Sequence, residues 1–139
     1  MSTIYYAKHA LGSMVEGECL CASDGFSARY DLDRINGTFS RPSHKLFGQS
    51  YKDKILVLDT AKGGVASAWM LYEMKSRNIA PLAIIFNSVN PILVQGAAQG
   101  DISMLSGFTE YITQALQSGQ ILRVDPSKKM VEVISEVVN

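Results

Sequence analysis

Ile55-Leu-Val-Leu-Asp-Thr-Ala-Lys-Gly-Gly-Val-Ala-Ser67, with Pro81-Leu-Ala-Ile-Ile-Phe86 following a helical stretch, decides the fold. Ile55 to Leu58 is a continuous apolar run, the pattern of a strand buried on both faces. Asp59 to Gly64 then reads as a flexible loop. From Val65 to Asn78 the apolar residues Ala66, Trp69, Met70, Leu71 and Met74 recur at helical spacing, and Lys75 and Arg77 suit the negative end of a helix dipole. Pro81 interrupts, and Leu82 to Phe86 supplies a second buried strand. Residues 54–86 therefore predict one βαβ unit, whose two strands must be parallel.

Outward from this unit the texture differs on each side. Residues 1 to about 50 are rich in turn formers, among them Gly12-Ser13, Gly17, Asp24-Gly25, Asn36-Gly37, Arg41-Pro42 and Gly48, which predicts short strands and loops. Glu16 to Ala22 fits a strand, and Ala28 to Ile35 is either a strand or irregular. On the C-terminal side, Asn90-Pro91 suits a helix start with a helix over 92–98. Ser103 to Leu105 reads as a brief strand and Phe108 to Leu116 as a helix. Gln120 to Asp125 and Met130 to Ile134 flank Pro126-Ser-Lys-Lys129 as a hairpin. The expectation is a single domain over residues 1–139, mixed α/β with a β-rich N-terminal half.

Composition narrows the function classes. The chain has 139 residues, 47% of them hydrophobic, so one core is affordable and global disorder is excluded. Thirteen Lys and Arg balance thirteen Asp and Glu. Nucleic-acid binding and anionic membranes, which need a basic excess, are not expected. No run approaches the roughly 20 apolar residues of a membrane span, and Met1 to His9 lacks the basic-then-apolar order of a signal peptide, so a cytoplasmic location is expected. Cys19 and Cys21 would share one face of a strand, where a disulfide between next-but-one neighbours is strained; two small buried thiols are expected. With only His9 and His44 besides, and no short Cys/His spacing, no metal site is expected in this chain.

The loop Asp59-Thr-Ala-Lys-Gly-Gly-Val-Ala-Ser67 is the sharpest chemical feature. Two glycines before a helix let backbone amides face an anion, the helix N-terminus adds partial positive charge, and Lys62 reinforces it. A tight turn is the other reading of Gly63-Gly64. Neither nucleotide-binding glycine pattern is present. Ser40-Arg-Pro-Ser-His44 offers one imidazole, either for positioning a substrate or moving a proton or as a hydrogen-bonding surface residue. Asp24-Gly-Phe-Ser27 is either a ligand loop or a turn with a buried aromatic. Asn87-Ser-Val-Asn-Pro-Ile92 follows a strand's C-terminal end, where parallel α/β sheets place their sites. Trp69, Met70, Tyr72 and Met74 fit core or a subunit interface better than a cofactor box.

Taken in order, Gly17-Glu18, Asp24-Gly-Phe-Ser27, His44 with Leu46 and Gly48, Ile55 to Leu58 before Lys62-Gly63, Leu71-Tyr-Glu73, Ala80 to Ile85, and Asn90-Pro-Ile92 with Gln95-Gly-Ala97 resemble the small swivelling domain of the aconitase X family, over about residues 10–105. The resemblance implies a swivelling β/β/α fold that works as the small subunit of a hydro-lyase, inactive alone. It implies a large-subunit partner that carries the iron–sulfur cluster, with no cofactor in this chain. The substrate implied is a small hydroxylated carboxylate or phosphate, an anion. Lys62 and Ser67 become the catalytic candidates, and Gly63, Gly64, Val65, Phe26, Ser27 and His44 the substrate-binding ones. One departure stands out: relatives follow the basic residue and glycine with the serine taken as proton acceptor, and here Gly64 stands in that place. Ser67 is the nearest hydroxyl and serves either as a replacement base or as a helix cap. The alternative function is a non-catalytic ligand-binding or regulatory module on the same fold.

Overall fold

The computed structural model describes residues 3–26, 31–61, 65–88, 98 and 101–137, without the side chains at 61 and 65–69. Its centre is the βαβ unit: β6 (Ile55–Ala61), α1 (Val65–Ser76) and β7 (Ala83–Ser88). β6 and β7 are parallel, with Ile55 opposite Ala83 and Leu58 opposite Phe86. Both strands are buried on both faces, as continuous apolar runs require. The helix is two residues shorter than its pattern. Asn78 adopts a left-handed φ of 58°, and the amides of Asn78 and Ile79 donate to Lys75 O and Met74 O, which closes the last turn as a Schellman cap before Pro81.

Around this unit the sheet closes on itself. β1 (Thr3–Leu11), β2 (Val15–Cys21), β8 (Ser103–Phe108), β9 (Ile121–Asp125) and β10 (Met130–Ser135) join β6 and β7 in the order β2-β9-β10-β1-β8-β7-β6, and β2 also pairs with β6. Strand β2 bridges the seam by sharing its residues, Val15–Glu18 with β9 and Cys19–Cys21 with β6. Further along β6, β3 (Gly25–Phe26) takes over, parallel to Thr60 and Ala61. A small ribbon, β4 (Leu32–Asp33) with β5 (Thr38–Phe39), lies outside.

Alternation along the strands gives two cores. Cys19, Ile55, Val57, Ala83, Ile85, Leu105, Leu122, Val124 and Val131 fill the closed sheet. The opposite set, Leu20, Leu56, Leu58, Ile84, Phe86 and Met104, packs against Leu71 and Met74 of α1 and against Phe26, Phe39 and Tyr51. The layers are thus β/β/α, the mixed α/β swivelling fold that the sequence predicts.

Several expectations need correction. Strand β1 was not anticipated: its centre is Ala7-Lys-His-Ala10, where two consecutive exposed polar residues, Lys8 and His9, break the alternation that marks strands. The helix expected over 108–116 is only α2 (Ile112–Ala115), because Phe108 is committed to β8 opposite Ala7 and Gly107 sits at φ 80°. The same extension lengthens the brief strand expected at 103–105. Cys19 is buried as expected, but Cys21 is only half-buried, and both are free thiols. Tyr72, offered as core or interface, is 46% exposed, whereas Met74 is core and Met70 packs on its edge. The Asn36-Gly37 turn is present, with Gly37 at φ 77°. The helix expected over 92–98 lies outside the described residues but for position 98, and so does part of the segment read over 28–35.

Candidate active-site rim

Three parallel strands end side by side. The register sets Phe26 beside Ala61 and Thr60 beside Ser88, so the chain leaves β3, β6 and β7 at one edge of the sheet, and α1 begins there at Val65. Carboxyl ends of parallel strands are where α/β sheets place ligands. The segments that follow are the ones singled out from sequence: Ser27, Lys62-Gly63-Gly64, and Asn90-Pro91-Ile92. Ser27, Lys62, Gly63 and Gly64 lie outside the described residues. Val65 and Ser67 occupy the first turn of α1, with their side chains outside the description.

The described part of the rim is held by two polar clusters. In the first, His44 is fully enclosed and stacks on Phe39, with ring centroids 4.6 Å apart. Its Nδ1 accepts from the Leu46 amide at 3.0 Å, which fixes the proton on Nε2, and that nitrogen donates to Gly25 O at 2.8 Å. Both ring nitrogens are therefore occupied. Asp24 receives the amides of Gly25 (2.8 Å) and Lys45 (3.1 Å). Burial opposes its ionisation, but those amides and the neighbouring Arg41 outweigh burial and hold its carboxyl below the usual range. Arg41 ties this group to Asp31 at 2.5 Å and to Ser43 at 2.6 Å. The loop carrying residues 40–46 is thus clamped onto β3 just before Ser27.

The second cluster lies on the other face of the sheet. Asp59 continues the inward series Ile55, Val57, and Asn87 continues Ala83, Ile85. Asp59 Oδ1 accepts from Thr113 Oγ1 at 2.6 Å and Asn87 Nδ2 at 3.1 Å, and Oδ2 accepts from Ser23 at 3.2 Å. Asn87 Oδ1 in turn accepts the Ile112 amide at 2.7 Å. These bonds seat α2 over the end of the closed sheet, where Ile112 and Leu116 are buried. Cys21 donates its thiol to Thr113 O at 3.4 Å. Among the described residues no three side chains of ligating type are grouped to hold a metal ion, and Cys19 and Cys21 face the inner core.

Two expected site residues change meaning. The Phe26 side chain is entirely buried, edge-on to Phe86 at 6.0 Å, so a substrate contact through that ring is ruled out in this conformation. His44 is not a surface residue: its ring is enclosed and both nitrogens are engaged within the fold, which ties the 40–46 loop to β3. Asp59, Asn87, Asp24 and Arg41 stood within segments already marked by their glycines and strand ends, yet no spacing distinguished them. Thr113 had no signal, because its partners are 54 and 26 positions away.

A family model described as the aconitase X swivel domain matches residues 4–133. The phosphomevalonate dehydratase small subunit of Thermococcus kodakarensis is 30% identical over 126 residues, 91% of this chain and 92% of that one. Its namesake from Methanococcoides burtonii is 29% identical over 121 residues, 87% and 88% of the two chains. The crystal structure of Thermococcus kodakaraensis aconitase X in its holo-form superimposes with a TM-score of 0.88 at 28% identity, covering 96% of this chain and 99% of that one. The layered fold, the rim at the strand ends and a match spanning nearly every residue agree: this chain belongs to the aconitase X swivel domain family.

Proposed function

We propose that residues 1–139 act as a single swivelling domain, the small subunit of an aconitase X-type dehydratase, in the cytoplasm. The observation that carries this reading is that β3, β6 and β7 end side by side at one edge of the sheet, with α1 starting at Val65. The relatives named as phosphomevalonate dehydratase small subunits, matched over most of both chains, support it. A large subunit binds a small hydroxylated carboxylate or phosphate, and this chain closes over it. Lys62 pairs with the substrate anion, and amides at Gly63, Gly64 and Val65 donate to developing negative charge. Ser27 contributes from the neighbouring strand end. In this reading the iron–sulfur cluster belongs to the large subunit, and no step of this chain's chemistry runs through it. Ser67, one helical turn or less from the loop, is the candidate base in place of the family's serine.

Gly64 itself favours a second reading, in which the domain binds the ligand without taking its proton. Reconstitution with a large subunit tests both. Dehydration of phosphomevalonate or a related hydroxylated carboxylate, seen only with both chains present, supports the first reading. Tight ligand binding without turnover supports the second, and a chain that never associates with a large subunit refutes the first.

A further inference from the structure

A cavity of about 280 Å³ lies between β1, β8 and the turn after β9. It is close to the small end of ligand pockets, which run roughly 300–1,000 Å³. Lys8, His9, Ser106 and Lys129 line it, with Ala10, Leu11 and Met104 as its apolar wall. Backbone geometry holds these groups together. His9 sits opposite Ser106 in the β1·β8 register, and the Ala7 amide donates to Lys129 O at 2.8 Å, which draws the turn against β1. Lys129 has a left-handed φ of 53°. Gly107 has a φ of 80°, and a Cβ there would meet Lys8 Cβ at 3.1 Å, so this glycine lets the β1 and β8 backbones approach closely beside Lys8.

Two independent features mark the cavity as a binding site. Neither Lys8 nor Lys129 has an ion-pair partner among the described residues. Ser106 is 3% exposed, and its hydroxyl has no hydrogen-bond partner among the described residues. Since no fully enclosed side-chain polar atom there lacks a partner, the open side of that hydroxyl is the cavity. We propose that this cavity binds the phosphate group of a small phosphorylated molecule. Two ammonium groups match the charge of a phosphate monoester, about −1.5 to −2 at neutral pH, whereas a carboxylate would neutralise only one. Lysines act as point charges toward phosphate, and Ser106 and His9 supply further hydrogen-bond donors to its remaining oxygens. The proposal does not require a large subunit and stands whether or not the dehydratase reading does.

Isotope-labelled full chain titrated with inorganic phosphate, with glycerol phosphate and with acetate provides the test. Saturable chemical-shift changes at His9 and Ser106 are expected with both phosphates, with the monoester binding more tightly if the organic part uses the apolar wall. Lys8→Gln and Lys129→Gln should each weaken phosphate binding by roughly tenfold or more, the cost of losing a charge-assisted contact. Lys128→Gln, a neighbouring exposed lysine outside the lining, should leave affinity within about twofold. Absence of saturation, shifts centred elsewhere, acetate binding as tightly as phosphate, or equal effects of the three lysine substitutions would each overturn the proposal.

Discussion

Replacing His44 separates a positioning role from a chemical one. His44→Ala leaves the Leu46 amide without its acceptor and Gly25 O without its donor, and it empties the space stacked on Phe39. Each orphaned polar group costs about 1–3 kcal/mol where water cannot reach it, and the lost ring contact about 0.5–1.5 kcal/mol. The expected destabilisation is about 3–5 kcal/mol, a large part of the roughly 5–15 kcal/mol that holds a domain folded. For a chain of this length the midpoint of thermal unfolding should fall by about 10–15 °C. Urea unfolding of the purified chain gives the free energy directly. His44→Asn is the informative companion: its Oδ1 can take the Leu46 amide in place of Nδ1, which should recover about 1 kcal/mol. In a reconstituted complex, turnover of His44→Ala should be lost in step with unfolding and return on cooling. A variant that unfolds within about 0.5 kcal/mol of the parent yet has no turnover at any temperature would refute the positioning role and put the imidazole at the substrate.

The other predictions probe the rim and the outer core. Asn87→Ala removes both the acceptor of the Ile112 amide and a donor to Asp59, and should cost about 2–4 kcal/mol in urea unfolding; strict additivity with Asp59→Ala would show that the two do not act as one network. Burial, aided by Asp33, pushes the Tyr51 phenol up to about 12. The folded chain therefore keeps this proton where the unfolded chain loses it, so the contribution is whole below about pH 10 and disappears toward pH 12. After solvent screening it is about 1–2 kcal/mol. Tyr51→Phe should flatten the alkaline stability curve while losing its bond to Asp33 O, and an unchanged slope would exclude Tyr51 as its source. Lys62→Ala should cut binding or turnover of an anionic substrate by more than about tenfold, and unchanged kinetics would reject that contact. Ser67→Ala should abolish turnover with folding intact if Ser67 is the base; a loss of about 1 kcal/mol in stability with turnover retained would identify a cap.

What could be read from sequence follows from interaction range. The βαβ unit was legible because its signals are local: the Ile55–Leu58 run, the helical spacing to Met74 and the break at Pro81 each fall within a few residues. Closure of the sheet was not, since it depends on β2 dividing its hydrogen bonds between β9 and β6, more than thirty positions away in either case. β1 was hidden because Lys8 and His9 face a cavity and solvent where a strand pattern would call for apolar residues. The site was half legible in the same way. Glycines and strand ends marked the right segments, and the carboxylates inside them acquire a role only when Arg41 reaches Asp31 and Thr113 reaches Asp59.

That division also explains how a chain with no net charge can attract anions. Whole-chain neutrality counts every carboxylate equally, but those at the rim are already engaged: Asp24 by two amides, Asp31 by Arg41, Asp59 by Thr113, Asn87 and Ser23. Their negative potential is largely satisfied by short internal bonds and projects little toward a ligand. Lys8 and Lys129 have no such partner among the described residues, so their charge is available at the surface. The local field is set by what remains unpaired, and at the cavity that includes both ammonium groups. Raising ionic strength should therefore weaken phosphate binding to the chain, since charges exposed to solvent are screened over roughly 8–10 Å at physiological salt, while the buried Asp59 cluster should lose little of its contribution to folding.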